Sequence, residues 1–219
     1  MTPKLALLEE YAQIARALGA PLRLMLLEQL AQGERGVEAL AVKVQATVAN
    51  ASQHLQLLRR AGLVTSRREG KSVIYRLTDD KTLLVLDLIR QIAERNLAEV
   101  EHILSGLRDG VDAPQPISRS ELAKRIAEGS VTVLDVRPQD EYLMGHIPGA
   151  INVTLDDLDP FIARLSKDDE IVAYCRGPYC IYAHQAVARL RKIGLNARRL
   201  DGGLPEWRAD QRPVETVVA

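Results

Sequence analysis

Leucine and alanine recur at helical spacing over residues 4–18, where Leu5, Leu8, Ala12, Ala15 and Leu18 form one stripe. Gly19-Ala20-Pro21 ends that helix, and Pro21 suits the first turn of the next, which carries Leu24, Leu27 and Leu30 inward. Gly33 and Gly36 frame its exit, and a short helical piece spans 37–42. Thr47 is placed to cap a helix through Val48, Ala51, Leu55 and Leu58 that Gly62 stops. From Leu63 the period drops to two. Residues 63–68 and 72–77 are predicted strands joined by Glu69-Gly70-Lys71, a hairpin whose glycine supplies positive φ. One long helix is expected over 81–107, with Leu84, Leu88, Ile92, Leu97 and Val100 on its stripe.

Residues 105–116 hold two glycines, two prolines and little apolar content, which reads as a semi-rigid linker. The expected division is 1–105, a linker over 106–117, and 118–219. In the last part Ser118 or Ser120 caps a helix over 121–128, followed by a strand at 131–136 and a helical segment at Glu141-Tyr142-Leu143. A turn and short strand over 145–153, a helix over 156–165 and an apolar strand running into Cys175 come next. A helix over 181–195, a strand at 196–200 and a turn with a brief helix at 201–207 complete the pattern. Strands alternating with helices predict a small parallel α/β domain, whose functional loops gather at the strand C-termini. The fold class expected is therefore two-domain: a mostly α winged helix-turn-helix, then a small α/β parallel-sheet domain.

Composition adds limits rather than detail. Apolar residues at 47% and charged residues at 26% are ordinary for a globular chain, and one Phe and one Trp make the cores aliphatic. Neither a secretory leader nor a run of eighteen apolar residues is visible, so the cytosol is the expected location and no membrane partner is expected. Two cysteines in that compartment favour free thiols or a reversible pair over a structural staple. The formal net charge is zero, so any nucleic-acid surface has to be local. One such concentration exists. From Lys43 to Arg76 seven basic residues (Lys43, Arg59, Arg60, Arg67, Arg68, Lys71, Arg76) face the single acid Glu69.

That basic excess falls on the end of the capped helix and on the hairpin after it, as a phosphate-contacting wing requires. The polar face Thr47, Asn50, Ser52, Gln53, His54 and Gln56 suits base-edge readout, with Arg59, Arg60, Arg67, Arg68 and Lys71 as phosphate contacts. A solvated hairpin edge is the bland alternative for the arginines. Residues 47–64 (TVANASQHLQLLRRAGLV) and 67–77 (RREGKSVIYRL) resemble the ArsR family of bacterial winged-helix repressors. The resemblance implies a homodimer joined through the first and last helices of this half, on a palindromic double-stranded operator with half-sites roughly 34 Å apart. Metal-sensing members carry cysteines or His–carboxylate sets that this chain lacks. Only Glu99 and His102 share a usable spacing, so no metal is expected.

Both cysteines sit in Cys175-Arg176-Gly177-Pro178-Tyr179-Cys180, between an apolar strand and a helix. A thiol there faces backbone N–H groups and the positive end of the helix dipole, which favours a thiolate nucleophile. Together with Leu134-Asp135-Val136-Arg137, Glu141-Tyr142, Gly145-His146-Ile147-Pro148-Gly149-Ala150, Leu200-Asp201-Gly202-Gly203 and Trp207, this half resembles a rhodanese domain. The resemblance implies sulfane-sulfur transfer through a Cys175 persulfide from a small anionic donor or a persulfide, with no cofactor and with Asp135 and Arg137 in support. Arg176 offers a cation to an anionic donor. Cys180 is placed to attack the loaded sulfur, or else packs at the helix start. Ile181 stands where related phosphatases need Arg, which argues against phosphoryl chemistry, and His146 and His184 are not needed as bases. The leading expectation is a DNA-binding regulator that senses or transfers sulfane sulfur. Its rival is a sulfurtransferase whose DNA-binding half only autoregulates its gene.

Overall fold

The computed structural model describes residues 2–108 (side chains of 104–108 excepted), 115–166, 169–177 and 180–216. By internal packing the chain divides into two compact units, Met1–Leu86 and Asp87–Ala219.

The first unit opens with helices α1 (Pro3–Leu18), α2 (Pro21–Ala31), α3 (Val37–Lys43) and α4 (Val48–Arg60). Thr47 caps α4 by accepting the Asn50 N–H at 3.2 Å, as its position forecasts. Ala51, Leu55 and Leu58 of α4 are fully buried, together with Leu26 and Leu27 of α2 and Leu40 of α3. Strands β2 (Val64–Glu69) and β3 (Ser72–Leu77) form the hairpin, with Gly70 at φ 60° in its turn. The sheet has a third strand that the sequence pattern misses, β1 (Arg35–Gly36), antiparallel to β3 through Arg35–Tyr75 and Gly36–Ile74. Two residues carry no readable alternation.

The expected helix over 81–107 is two helices, α5 (Lys81–Asn96) and α6 (Ala98–Arg108), which meet at Leu97. The Asn96 amide donates to the Ile92 carbonyl at 2.8 Å, a local bond that competes with the backbone ladder. Helix to Arg108 also removes residues 105–108 from the expected linker, and 109–114 lie outside the described residues.

The second unit holds a four-stranded parallel sheet, ordered β5 (Ile151–Asn152), β4 (Thr132–Asp135), β6 (Glu170–Tyr174) and β7 (Asn196–Arg199). Alternation along β6 sends Ile171, Ala173 and Cys175 to one face and Val172 and Tyr174 to the other. The first face packs on α9 (Leu158–Ile162) and α10 (Ile181–Lys192), burying Leu158, Ala183, Ala186, Val187 and Leu190. The second packs on α7 (Arg119–Glu128) and α11 (Leu204–Ala209), burying Leu122, Leu204 and Trp207. Helix α8 (Gln139–Met144) follows β4. Helix α9 is shorter than the 156–165 expected. Ile117 donates its N–H to the Arg199 carbonyl and accepts from the Asp201 N–H, both at 2.8 Å, so the chain reaches the sheet beside the end of β7.

Candidate functional site

In the second unit Cys175 follows β6 directly and is wholly buried. Cys180 occupies the N-cap position of α10, and the two sulfurs are joined in a disulfide with Cα atoms 6.1 Å apart. The sulfur at the helix start is thus that of Cys180, and Cys175 is bonded to it across the loop. The Cys180 N–H donates to the Gly177 carbonyl at 3.1 Å, which closes the loop on itself and leaves that amide committed. Pro178 and Tyr179, expected as loop residues, lie outside the described residues.

Gly203 explains why the loop needs its second partner, the Asp201-Gly202-Gly203 turn. A Cβ on Gly203 would stand 2.4 Å from the Cys175 carbonyl oxygen and 2.5 Å from the Gly177 nitrogen. The Leu204 N–H donates to that same Cys175 oxygen at 3.3 Å. Glu206 accepts the Gly203 N–H at 2.8 Å, and its two carboxylate oxygens lie 3.7 Å from where a Gly177 Cβ would stand. Burial pushes the Glu206 carboxyl above its ordinary range, against the pull of the backbone N–H groups of Glu206 and Gly203.

Asp135 and Arg137 form a fully buried ion pair at 2.5 Å. The Arg137 guanidinium also donates to the Gly145 carbonyl at 2.7 Å, and the Tyr174 hydroxyl donates to Asp135 at 2.6 Å while accepting the Ile147 N–H at 3.0 Å. Burial, with the Asp135 charge beside it, holds the Tyr174 phenol well above its usual range. This network ties the ends of β4 and β6 to the Gly145–Ile147 turn. Arg137 reaches the turn through the Gly145 carbonyl and Tyr174 through the Ile147 N–H, while Asp135 joins the two. His146 is buried in that turn, stacked on Tyr142 with ring centroids 3.9 Å apart.

Arg176 is not the open cation the sequence suggests. Its guanidinium is gripped by both oxygens of Glu141 at 2.8–3.1 Å, and the Glu141 side chain is wholly buried. Burial disfavours the charged guanidinium, but the Glu141 bond and charge outweigh it and raise the Arg176 pKa. Pairing of residues 35 positions apart leaves no local signature, so Glu141 enters the sequence reading only as part of a motif.

The first unit carries the DNA-facing candidates. Thr47, Asn50, Gln53, Gln56, Arg59 and Arg60 are exposed along α4, and Ser52 is partly exposed. His54 is partly exposed, and its Nδ1 lies 3.5 Å from Arg23 of α2, whose guanidinium donates to the Ala17 and Arg16 carbonyls at 2.5 and 2.8 Å. It belongs to the helix packing as much as to the outer face. Arg67 is bound by Glu34 through both oxygens, at 2.5 Å each, and those bonds raise its pKa. Arg68 and Lys71 stay exposed on the wing, with Arg68 donating to the Gly70 carbonyl at 3.3 Å. Arg59 donates to the Ser66 hydroxyl at 3.3 Å, which joins helix to wing. Among the described residues no group of three or more His, Cys, Asp or Glu is arranged to hold a metal ion, and no helix is long and apolar enough to cross a membrane.

Comparison with known proteins agrees with both halves. A model of the rhodanese-like domain matches residues 118–210, and one of the arsR family of bacterial regulatory proteins matches residues 20–66. The HTH-type transcriptional regulator Rv0324 of Mycobacterium tuberculosis is 42% identical over 213 residues, covering 97% of this chain and 93% of its own. The HTH-type transcriptional repressor SmtB of the same organism is 36% identical over 93 residues, 42% of this chain and 69% of its own. Among solved structures, the homodimeric winged helix-turn-helix DNA-binding domain Mb0332 (fragment 1–100) of Mycobacterium bovis is 37% identical. It covers 45% of this chain and 92% of its own, with a TM-score of 0.42. A capped polar helix with its basic wing, and a parallel sheet whose strand ends in a cysteine loop, are therefore the two halves of one regulator: the chain belongs to the arsR family of bacterial transcriptional regulators and carries a C-terminal rhodanese-like domain.

Proposed function

We propose that this regulator binds a palindromic operator as a homodimer and that its rhodanese-like domain reads sulfane sulfur through Cys175. The α4 face of Asn50, Gln53 and Gln56 enters the major groove, and Arg59, Arg60, Arg68 and Lys71 meet phosphates. Dimerisation is supported by exposed apolar side chains along α1 (Leu5, Leu8, Tyr11) and α5 (Leu88, Ile92), which a monomer would leave in water. In this reading the chain up to the end of α6 binds DNA and dimerises, and residues from 118 onward handle sulfur.

The observation that carries the sulfur reading is the Cys175–Cys180 bond across one loop at a strand end. In the reduced protein the Cys175 thiolate attacks the outer sulfur of R–S–SH. A new S–S bond forms, the donor's S–S bond breaks, and the leaving thiolate takes the proton as R–SH. The Cys180 thiolate then attacks Sγ of Cys175 and expels HS⁻, which closes the disulfide. The sum converts two cysteine thiols and R–S–SH into a disulfide, R–SH and H₂S.

Salt-dependent operator titrations of wild type, Cys175→Ser and Cys180→Ala, with and without polysulfide, test it. Wild-type affinity is expected to change at least about tenfold, the scale of an ordinary allosteric coupling, and Cys175→Ser not at all. Cys180→Ala is expected to stop at the persulfide. Sulfur loading with unchanged affinity would instead identify a sulfurtransferase with an uncoupled, autoregulatory DNA-binding half.

A further inference from the structure

The charges around the cysteine loop discriminate between two kinds of sulfur donor. Arg176 is the one cationic side chain between Cys175 and Cys180, and both Glu141 oxygens hold it. A second guanidinium near the rim, Arg119, stands 3.2 Å from where a Gly202 Cβ would be. It too is paired, to Asp210 at 2.7 Å and to the Asp201 carbonyl at 3.2 Å. Glu206 brings a further carboxyl group to the loop, 3.7 Å from the position of a Gly177 Cβ. Opposed to these carboxylates is the start of α10, equivalent to roughly half a positive charge, and the Cys180 N–H at that end is already bonded to Gly177. Among the described residues, both guanidinium groups at the loop are thus paired with carboxylates before a donor arrives. A dianion whose outer sulfur must approach a thiolate is favoured by an open positive charge; a thiol-borne persulfide carries at most one negative charge at its reacting end and reacts as the neutral R–S–SH, so it depends on such a charge far less.

We propose that Cys175 takes its sulfur from thiol persulfides rather than from thiosulfate, and that Glu141, by neutralising Arg176, is the positioning residue that sets this preference. The inference rests on the Cys175 persulfide reading above and narrows its donor. Loading from a persulfide releases R–SH. Its thiosulfate counterpart would form the same Cys175 persulfide with the electron pair of the broken S–S bond leaving on sulfite.

The test uses the full chain, reduced and then freed of reductant. Glutathione persulfide and sodium thiosulfate serve as alternative donors, with loading followed by intact mass as the persulfide or the disulfide that replaces it, and turnover by thiocyanate formed from added cyanide in the Cys180→Ala background, where the persulfide persists. Glutathione persulfide is expected to load Cys175 with a kcat/KM at least about 100-fold above that of thiosulfate, the effect of roughly one uncompensated charge at contact range. The slow thiosulfate reaction is expected to quicken as salt is added, because screening relieves repulsion. Thiosulfate equal to or better than the persulfide, or slowed by salt as an attracted anion would be, overturns the proposal. Glu141→Gln keeps a hydrogen-bond acceptor for Arg176 and removes the charge, so the thiosulfate-to-persulfide ratio is expected to rise about tenfold. An unchanged ratio in a folded Glu141→Gln protein removes Glu141 from the account, and if that variant does not fold, the wild-type ratio and salt dependence decide. Loading by neither donor defeats the persulfide reading itself and the donor preference with it.

Discussion

Replacing Gly203 with Ala tests the packing that holds the cysteine loop. The added Cβ would lie 2.4 Å from the Cys175 oxygen, 2.5 Å from the Gly177 nitrogen and 2.7 Å from the Arg176 carbonyl carbon. Non-bonded heavy atoms rest at about 3.5 Å or more, so the loop backbone has to withdraw by about 1 Å. All three atoms are main chain, and no side-chain rotation relieves them. Overpacking of this kind costs about 3 kcal/mol, the upper part of its usual range, and lowers the melting temperature of the affected unit by roughly 6–12 °C. The withdrawal also stretches the Leu204 N–H bond to Cys175, already 3.3 Å, so disulfide closure slows. Scanning calorimetry of the full chain resolves the unit's transition, and thiol labelling after exposure to oxidised glutathione follows closure. Gly149→Ala is the control: its φ is 72° but nothing lies within 4 Å of the new methyl, so only the left-handed backbone cost of about 1–2 kcal/mol applies, with no effect on closure. A Gly203→Ala protein that melts within about 1 °C of wild type and closes its disulfide at the wild-type rate would refute the close-packing argument.

Three further outcomes are expected. Thr47→Ala removes the acceptor for the Asn50 N–H and lowers stability by about 1 kcal/mol in denaturant unfolding, with weaker operator binding as the start of α4 frays. Arg68→Ala and Lys71→Ala each reduce the slope of log affinity against log salt by about one, whereas Arg67→Ala reduces it less because Glu34 already holds that charge. Burial holds the Glu206 carboxyl above its ordinary 4.5, so the folded protein keeps a proton that the unfolded chain releases. That contribution to stability is complete below about 4.5 and is lost as pH rises through the raised value; Glu206→Gln, which cannot titrate, therefore gains on wild type across that window in urea melts repeated at stepped pH.

Elements built on sustained periodicity were readable from the chain. The polar face of α4 with its Thr47 cap, the hairpin around Gly70 and the alternation of β6 all follow from neighbours three, four or two positions apart. What escaped depends on distance along the sequence. Strand β1 is two residues whose partners are Tyr75 and Ile74, and the break at Leu97 falls within an otherwise continuous apolar stripe. The cysteine loop is legible in the sequence as the join between a strand and a helix, but not in its electrostatics. Arg176 reads as an available cation in the sequence, yet Glu141 holds it, and Glu34 holds Arg67 in the same way. His54 likewise shares its ring with Arg23 of another helix. Gly203 carried a motif whose reason, a backbone-to-backbone contact with Cys175, exists only in three dimensions.

The two short bonds at Ile117 give the cysteine loop a mechanical neighbour. Residue 117 is stitched to Arg199 and Asp201, and Asp201 begins the turn in which Gly203 touches Cys175. Tension drawn through residues 115 and 116 would thus be delivered one turn away from Cys175, and any rearrangement of that turn has an equally short way back to Ile117.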